Sequence, residues 1–227
     1  MLLPRYIVIF SLFLTACSTT TPQATDPSKE IGYLAKSDID TVTDIHLRQV
    51  DGYLKELTYK LYRRNPRHCT GGTANIERCV KRLFSQAKTG QLSSKEAINT
   101  LKRSLEKSFT GDRVHSFIHG LRSMIHSAYG NKTEFFIFDE VDPQKLYNSA
   151  RNIEIAVWRL SNYRDTRGRL FLITNSLSTN LPNLSFERLF GKLVATQDTI
   201  AKITAGSSRR RIKNVIQRLA TAVFLPI

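Results

Sequence analysis

Acidic side chains are scarce in this chain: 19 Asp and Glu stand against 34 Lys and Arg, a formal net charge of +15 at pH 7. Long apolar runs are scarcer still. Only one approaches membrane length, at the extreme N-terminus, which excludes a polytopic membrane protein. There is no G-x-S-x-G elbow, no H-E-x-x-H pair and no glycine-rich phosphate loop, and no motif implies a cofactor. Cysteine occurs only three times, at 17, 69 and 79. What is present suffices for a core: 41% of the 227 residues are hydrophobic, which suits one globular domain, or at most two small ones, and argues against wholesale disorder.

The N-terminus reads as a processing signal. Arg5 is followed by Tyr6-Ile7-Val8-Ile9-Phe10-Ser11-Leu12-Phe13-Leu14, apolar apart from one serine. As a helix this stretch is about 14 Å long, well short of the ~30 Å hydrocarbon slab and suited to a signal-peptide core. Leu14-Thr15-Ala16-Cys17 then resembles the lipobox of bacterial lipoproteins, a branched aliphatic and two small residues before cysteine. The resemblance covers residues 1 to about 20 only. It implies cleavage after residue 16, a diacylglyceryl group on the Cys17 sulfur and acylation of the new α-amino group. Two or three acyl chains anchor a protein stably, where one holds it marginally. Serine rather than aspartate at position 18 implies export to the outer membrane, facing the periplasm. The alternative is a plain secretory signal cut near Ala16 with an unmodified cysteine.

Cysteine counting agrees with lipidation. If Cys17 carries a thioether, Cys69 and Cys79 are left to pair in an oxidising compartment. A disulfide is expected there ahead of two free thiols, with half a zinc site a distant third because no second Cys/His pair stands nearby. Residues 18–29 (STTTPQATDPSK) have no large apolar side chain and two prolines, a tether with a reach of about 20 Å. The expected organisation is a signal peptide over 1–16, a lipidated N-terminus and flexible tether over 17–34, and a single helical domain over 35–227.

Within that domain the dominant period is 3.6 residues. Val50, Leu54, Leu57 and Leu61 predict a helix ending near Arg64, before Asn65-Pro66. Ile76, Val80, Leu83 and Ala87 predict a second, closed by Gly90. Ser93 and Glu96 form a capping box that opens a third through Ile98, Leu101 and Leu105. A fourth starts at Gly111-Asp112 and ends at Gly130. Asp142-Pro143 opens a fifth, apolar on more than one side and therefore expected to sit centrally. Two more are marked by Phe186 to Ile200 and by Ile212, Val215, Ile216, Leu219 and Val223. The fold class is thus mainly α, a compact array of about seven helices. The runs Phe135–Phe138 and Leu170–Ile173 leave room for a minor two-stranded β ribbon. The apolar C-terminus, 222–227, is expected to dock into the core.

Three constellations bear on function. His115, His119 and His126 share one flank of the fourth helix, and two imidazoles four residues apart can hold a metal. Arg122 projects between them, so the ordinary reading is a polar flank. Glu154 sits about 80° from the apolar stripe of its helix, beside Arg151 and Trp158. A half-buried carboxylate there can serve as a general acid on cell-wall glycan, while the plainer reading is an Arg–Glu structural pair. Finally, Arg63, Arg64, Arg67 and His68 cluster after the first helix, and Arg209, Arg210, Arg211, Lys213 and Arg218 in the last, as candidate anion-binding groups. For an exported protein the anions are envelope polymers and lipid headgroups, and nucleic acid is not expected. The reading that follows is a lipid-anchored, non-enzymatic scaffold or partner-binding module bound to the membrane through its N-terminal lipid. A peptidoglycan-acting enzyme using Glu154 and a cationic binder of anionic envelope polymers are the alternatives.

Overall fold

Six α-helices account for most of the described chain: α1 (Asp38–Arg64), α2 (Ile76–Ser85), α3 (Ser94–Ser104), α4 (Arg113–Ala128), α5 (Pro143–Asn162) and α6 (Ser185–Ser208). The computed structural model describes residues 36–85, 92–175, 183–209, 211–213 and 223–227. Among these there is no sheet. Two short 3-10 turns, Pro66–His68 and Gly72–Asn75, link α1 to α2.

The helix starts follow side-chain chemistry. Ser37 caps α1 in a capping box with Asp40, and Ser93 caps α3 in the expected box with Glu96. Asp112 accepts the His115 N–H at 2.8 Å and Asp142 accepts the Gln144 N–H at 2.9 Å, while Pro143 occupies the first position of α5, where no N–H is needed. At the end of α1, the Asn65 amide folds back to the Leu61 carbonyl and also exchanges two hydrogen bonds with the backbone of Ile173 (2.9 and 2.8 Å). One side chain therefore stops a helix and fixes a loop more than a hundred residues away.

The closest helix pairs are α3 with α4 and α5 with α6, while α1 touches α2, α4 and α6. Gly120 sets the α3–α4 distance: a Cβ there would lie 2.6 Å from the Leu101 nitrogen and 2.7 Å from the Ala97 oxygen. Arg113 locks the same pair. Its guanidinium donates to the carbonyls of Ser104, Glu106 and Phe109 (2.6, 2.9 and 2.7 Å), so the orphan carbonyls past the end of α3 are capped by a charge from the start of α4. α1 and α6 run antiparallel: Ile39 and Thr43 near the start of α1 share a cleft with Thr204 and Ser208 near the end of α6, and Lys192 lies over the Tyr53 ring farther along.

α5 is buried on more than one side, with Leu146, Ile153, Ile155 and Ala156 fully buried and one flank left open, and α4 is buried as deeply through Phe117, Ile118, Leu121, Met124 and Ile125. The β ribbon does not form. Leu170 makes only an isolated antiparallel bridge to Arg164, and in the other run Phe135 is buried while Phe138 is 94% exposed, so the run is a turn with one inward residue. The seventh helix falls mostly on residues outside those described, and Ile212 and Val223, at its two edges, are not helical. The C-terminus does dock: Phe224 is buried beneath the cations of Lys102 and Arg159.

Candidate functional site

The open flank of α5 and the facing side of α6 enclose a groove of about 840 Å³. Its apolar floor is Val157, Phe190 and Val194, with Trp158 on one wall stacked edge-on against Tyr163 at 6.0 Å. Gly191 and Ala195 are exposed along the α6 side, and a Cβ on Gly191 would meet nothing within 4 Å, so the groove is open to a large occupant. Three carboxylates line it, Glu154, Glu187 and Asp198, against one guanidinium, Arg151. This makes it an acidic trough on a strongly basic protein.

Glu154 was legible in the sequence, and it lies in the groove 3.3 Å from Arg151 as the helical spacing requires. Burial pushes its carboxyl above the usual range, Arg151 pulls it back, and Asp198 adds to the rise. Asp198 is the residue that sequence reasoning missed. It comes from α6, forty-seven positions from Arg151, and its Oδ2 receives Arg151 Nη2 at 2.7 Å. The sequence carried no signal for it, because only the antiparallel packing of α5 on α6 brings the two together. The enclosed Arg151 Nε and Asp198 Oδ1 have no hydrogen-bond partner.

The three histidines do not converge. His115 and His119 lie with ring centroids 5.7 Å apart, but His126 turns away and its Nε2 pairs with Asp51 of α1 at 2.9 Å. Arg122 donates to the same Asp51 oxygen at 2.9 Å. Burial works to raise Asp51, but the hydrogen bonds from His126 and Arg122 outweigh it and hold the carboxyl at about 2. Burial lowers both His115 and His119, with Asp112 opposing for the former, and His115 and Arg122 adding to the fall for the latter. Among the described residues no three His, Cys, Asp or Glu side chains are placed to share a metal ion.

The basic clusters are split between opposite ends. Arg63, Arg64 and Arg67 stand at the end of α1, and Arg209, Arg211 and Lys213 follow the end of α6, which runs the other way; α1 is about 40 Å long. The first cluster is engaged within the fold: Arg64 Nε donates to the Thr174 carbonyl at 3.1 Å, Arg63 lies over the Tyr59 ring, and Arg67 Nε reaches His68 Nε2 at 3.4 Å. Arg209, Arg211 and Lys213 are exposed, while Arg210 lies outside the described residues. Cys17 and the whole lipobox also lie outside them.

Cys69 and Cys79 form a disulfide, closing the connection between α1 and α2. Two S-x-x-K spacings occur, Ser85 with Lys88 and Ser104 with Lys107. The Ser104 hydroxyl is fully buried and donates to the Leu101 carbonyl at 2.6 Å, which removes it as a nucleophile; Lys88 lies outside the described residues. No family model matches the chain, and no curated protein or solved structure matches it.

Proposed function

We propose that the chain is a lipid-anchored cell-envelope protein, held through Cys17 on the periplasmic side of the outer membrane, whose helical body is a partner-binding module. The groove between α5 and α6 supports this reading most directly. It offers an apolar floor, an aromatic wall and small residues at its lip, the surface that an amphipathic segment of another protein needs. Its three carboxylates against one guanidinium favour a partner with basic flanks at the groove itself. The lipobox and the tether supply the address and the stand-off from the leaflet.

A photo-crosslinking residue at Ala195, in cells of the native host, is expected to give one discrete adduct. Gly191→Leu fills the groove from a position with open space around it, and is expected to abolish the adduct while leaving the fold intact. No adduct under any growth condition would remove the binding reading.

The enzymatic reading has one observation in its favour, the raised Glu154 carboxyl with Asp198 close by. Against it, Arg151 bridges both carboxylates at 3.3 and 2.7 Å and pulls the Glu154 carboxyl back toward its ionised form, where a general acid must hold its proton. Incubation with peptidoglycan separates the two: turnover that Glu154→Gln abolishes would replace the binding module with an enzyme.

A further inference from the structure

The turn after Phe135 presents an apolar surface to solvent. Ile137 is 57% and Phe138 94% exposed, although both belong to a run hydrophobic enough to be read as buried. The exposure is built in. Asp139 N donates to the Phe136 carbonyl at 2.7 Å, Phe136 N donates back to Asp139 Oδ2 at 3.0 Å, and Lys132 pairs with the same carboxylate. Phe135 fixes the base of the turn: it is buried, and its N–H donates to Asp44 Oδ1 at 3.0 Å. A turn held at both ends in this way keeps two large apolar side chains in water, a cost that soluble surfaces avoid unless something covers them.

Two further features share this end of the body. Lys36, where the chain enters the described body, lies with its ammonium 5.0 Å from the Phe136 ring, and residues 17–35 join the body there. The end of α6 is also here, because Asp139, Glu140 and Val141 line one cleft with Ser207 and Ser208, and Arg209, Arg211 and Lys213 follow directly. Lys213 is held to Gln144 at the start of α5, its N–H donating to Gln144 Oε1 at 2.7 Å. Several carboxylates of this end are already engaged: Glu134 pairs with Lys36 at 2.8 Å, Asp139 with Lys132, and Asp40 and Asp142 cap α1 and α5, while Glu140 also lines the cleft.

We propose that this end is a second, non-covalent membrane contact, with Ile137 and Phe138 entering the acyl-chain boundary and Arg209, Arg211 and Lys213 meeting phospholipid phosphates. The proposal rests on the membrane-anchored reading. The tether's reach of about 20 Å keeps the end of the body where the tether attaches close to the leaflet. The lipid on Cys17 and the apolar turn then act as two attachments, the second fixing which face of the body looks into the periplasm and leaving the α5–α6 groove free for a partner.

Flotation with vesicles tests this directly. Residues 17–227 carrying Cys17→Ser, so that no acyl chain contributes, are mixed with vesicles of phosphatidylethanolamine and phosphatidylglycerol. Partition is expected for this protein, to fall about tenfold or more in Phe138→Ser, and to lose its dependence on phosphatidylglycerol in Arg209→Glu/Lys213→Glu. Phe138 is almost wholly exposed, so its variant is expected to melt as the parent does; if it does not, Ile137→Ser takes its place. Failure of the parent to float, or equal flotation of the Phe138 variant, overturns the proposal, as does crosslinking from position 138 that lands on a protein instead of lipid. Mass spectrometry of Cys17 from the native host keeps the two readings apart. A bare thiol with intact flotation sinks the anchor and leaves this surface standing; an acylated Cys17 without flotation does the reverse.

Discussion

Asn152 gives both atoms of its side-chain amide to the backbone of Leu225: Nδ2 donates to the Leu225 carbonyl at 2.9 Å, and Oδ1 accepts the Leu225 N–H at 2.7 Å. Gln144, two turns earlier on α5, does the same with the backbone of Lys213, and Asn148 between them donates to the Pro226 carbonyl at 2.8 Å. The C-terminal segment is thus held by its main chain, while Phe224 fills the core. Asn152→Ala leaves a partly buried N–H and C=O unpaired, and is expected to cost about 1–3 kcal/mol in urea unfolding. Deleting 223–227 removes the Phe224 side chain as well and is expected to cost more. Equal stability of the truncated and full chains would show that the docking contributes nothing.

Two glycines in helix interiors are expected to respond in opposite directions. Gly120→Ala drives a methyl against backbone atoms of α3 at 2.6 and 2.7 Å, which the helix pair can relieve only by separating, at about 1–3 kcal/mol. Gly191→Ala meets nothing and removes a poor helix former, for a gain of up to about 1 kcal/mol. Denaturant midpoints of the two variants measure this directly, and a loss at both positions would contradict the open groove.

Asp51 makes stability depend on acid. Its carboxyl is held at about 2 in the fold against an ordinary 3.8, so the folded state favours the ionised form. The associated stabilisation, on the order of 2 kcal/mol, is complete above pH about 4 and is lost as the pH falls toward 2. Asp51→Asn is expected to flatten this part of the stability profile between pH 4 and 2. A profile in that window identical to that of the parent would mean that the contact with His126 and Arg122 has no energetic weight.

Reducing the Cys69–Cys79 bond reopens a loop with a sequence separation of 10, for an expected loss of about 2–3 kcal/mol. Thermal melts with and without reductant, beside a Cys69→Ser/Cys79→Ser variant, measure it. The variant is expected to match the reduced parent and to be indifferent to reductant.

Much of the fold was readable because it is local. Ser93 with Glu96, Asp142 with Pro143 and Asn65 before Pro66 mark helix ends through bonds that span a few residues, and the apolar stripes mark the faces that go inward. The first three turns of α1 were missed, although Ser37 and Asp40 form a capping box there, because they carry few apolar residues. The run at 135–138 misled for the opposite reason: hydrophobicity reports what burial would gain, not whether a turn held by Asp139 allows it.

By itself the sequence determined the helical class, most helix ends, the charge and the place of Glu154 beside Arg151, all of which follow from neighbours within a turn or two of the chain. Tertiary structure alone decided that His126 belongs to Asp51 and not to the other histidines, that Asp198 joins Glu154, and that the two basic clusters lie at opposite ends. Each of these depends on which helix packs against which and in what direction, and that choice is made by the whole core at once.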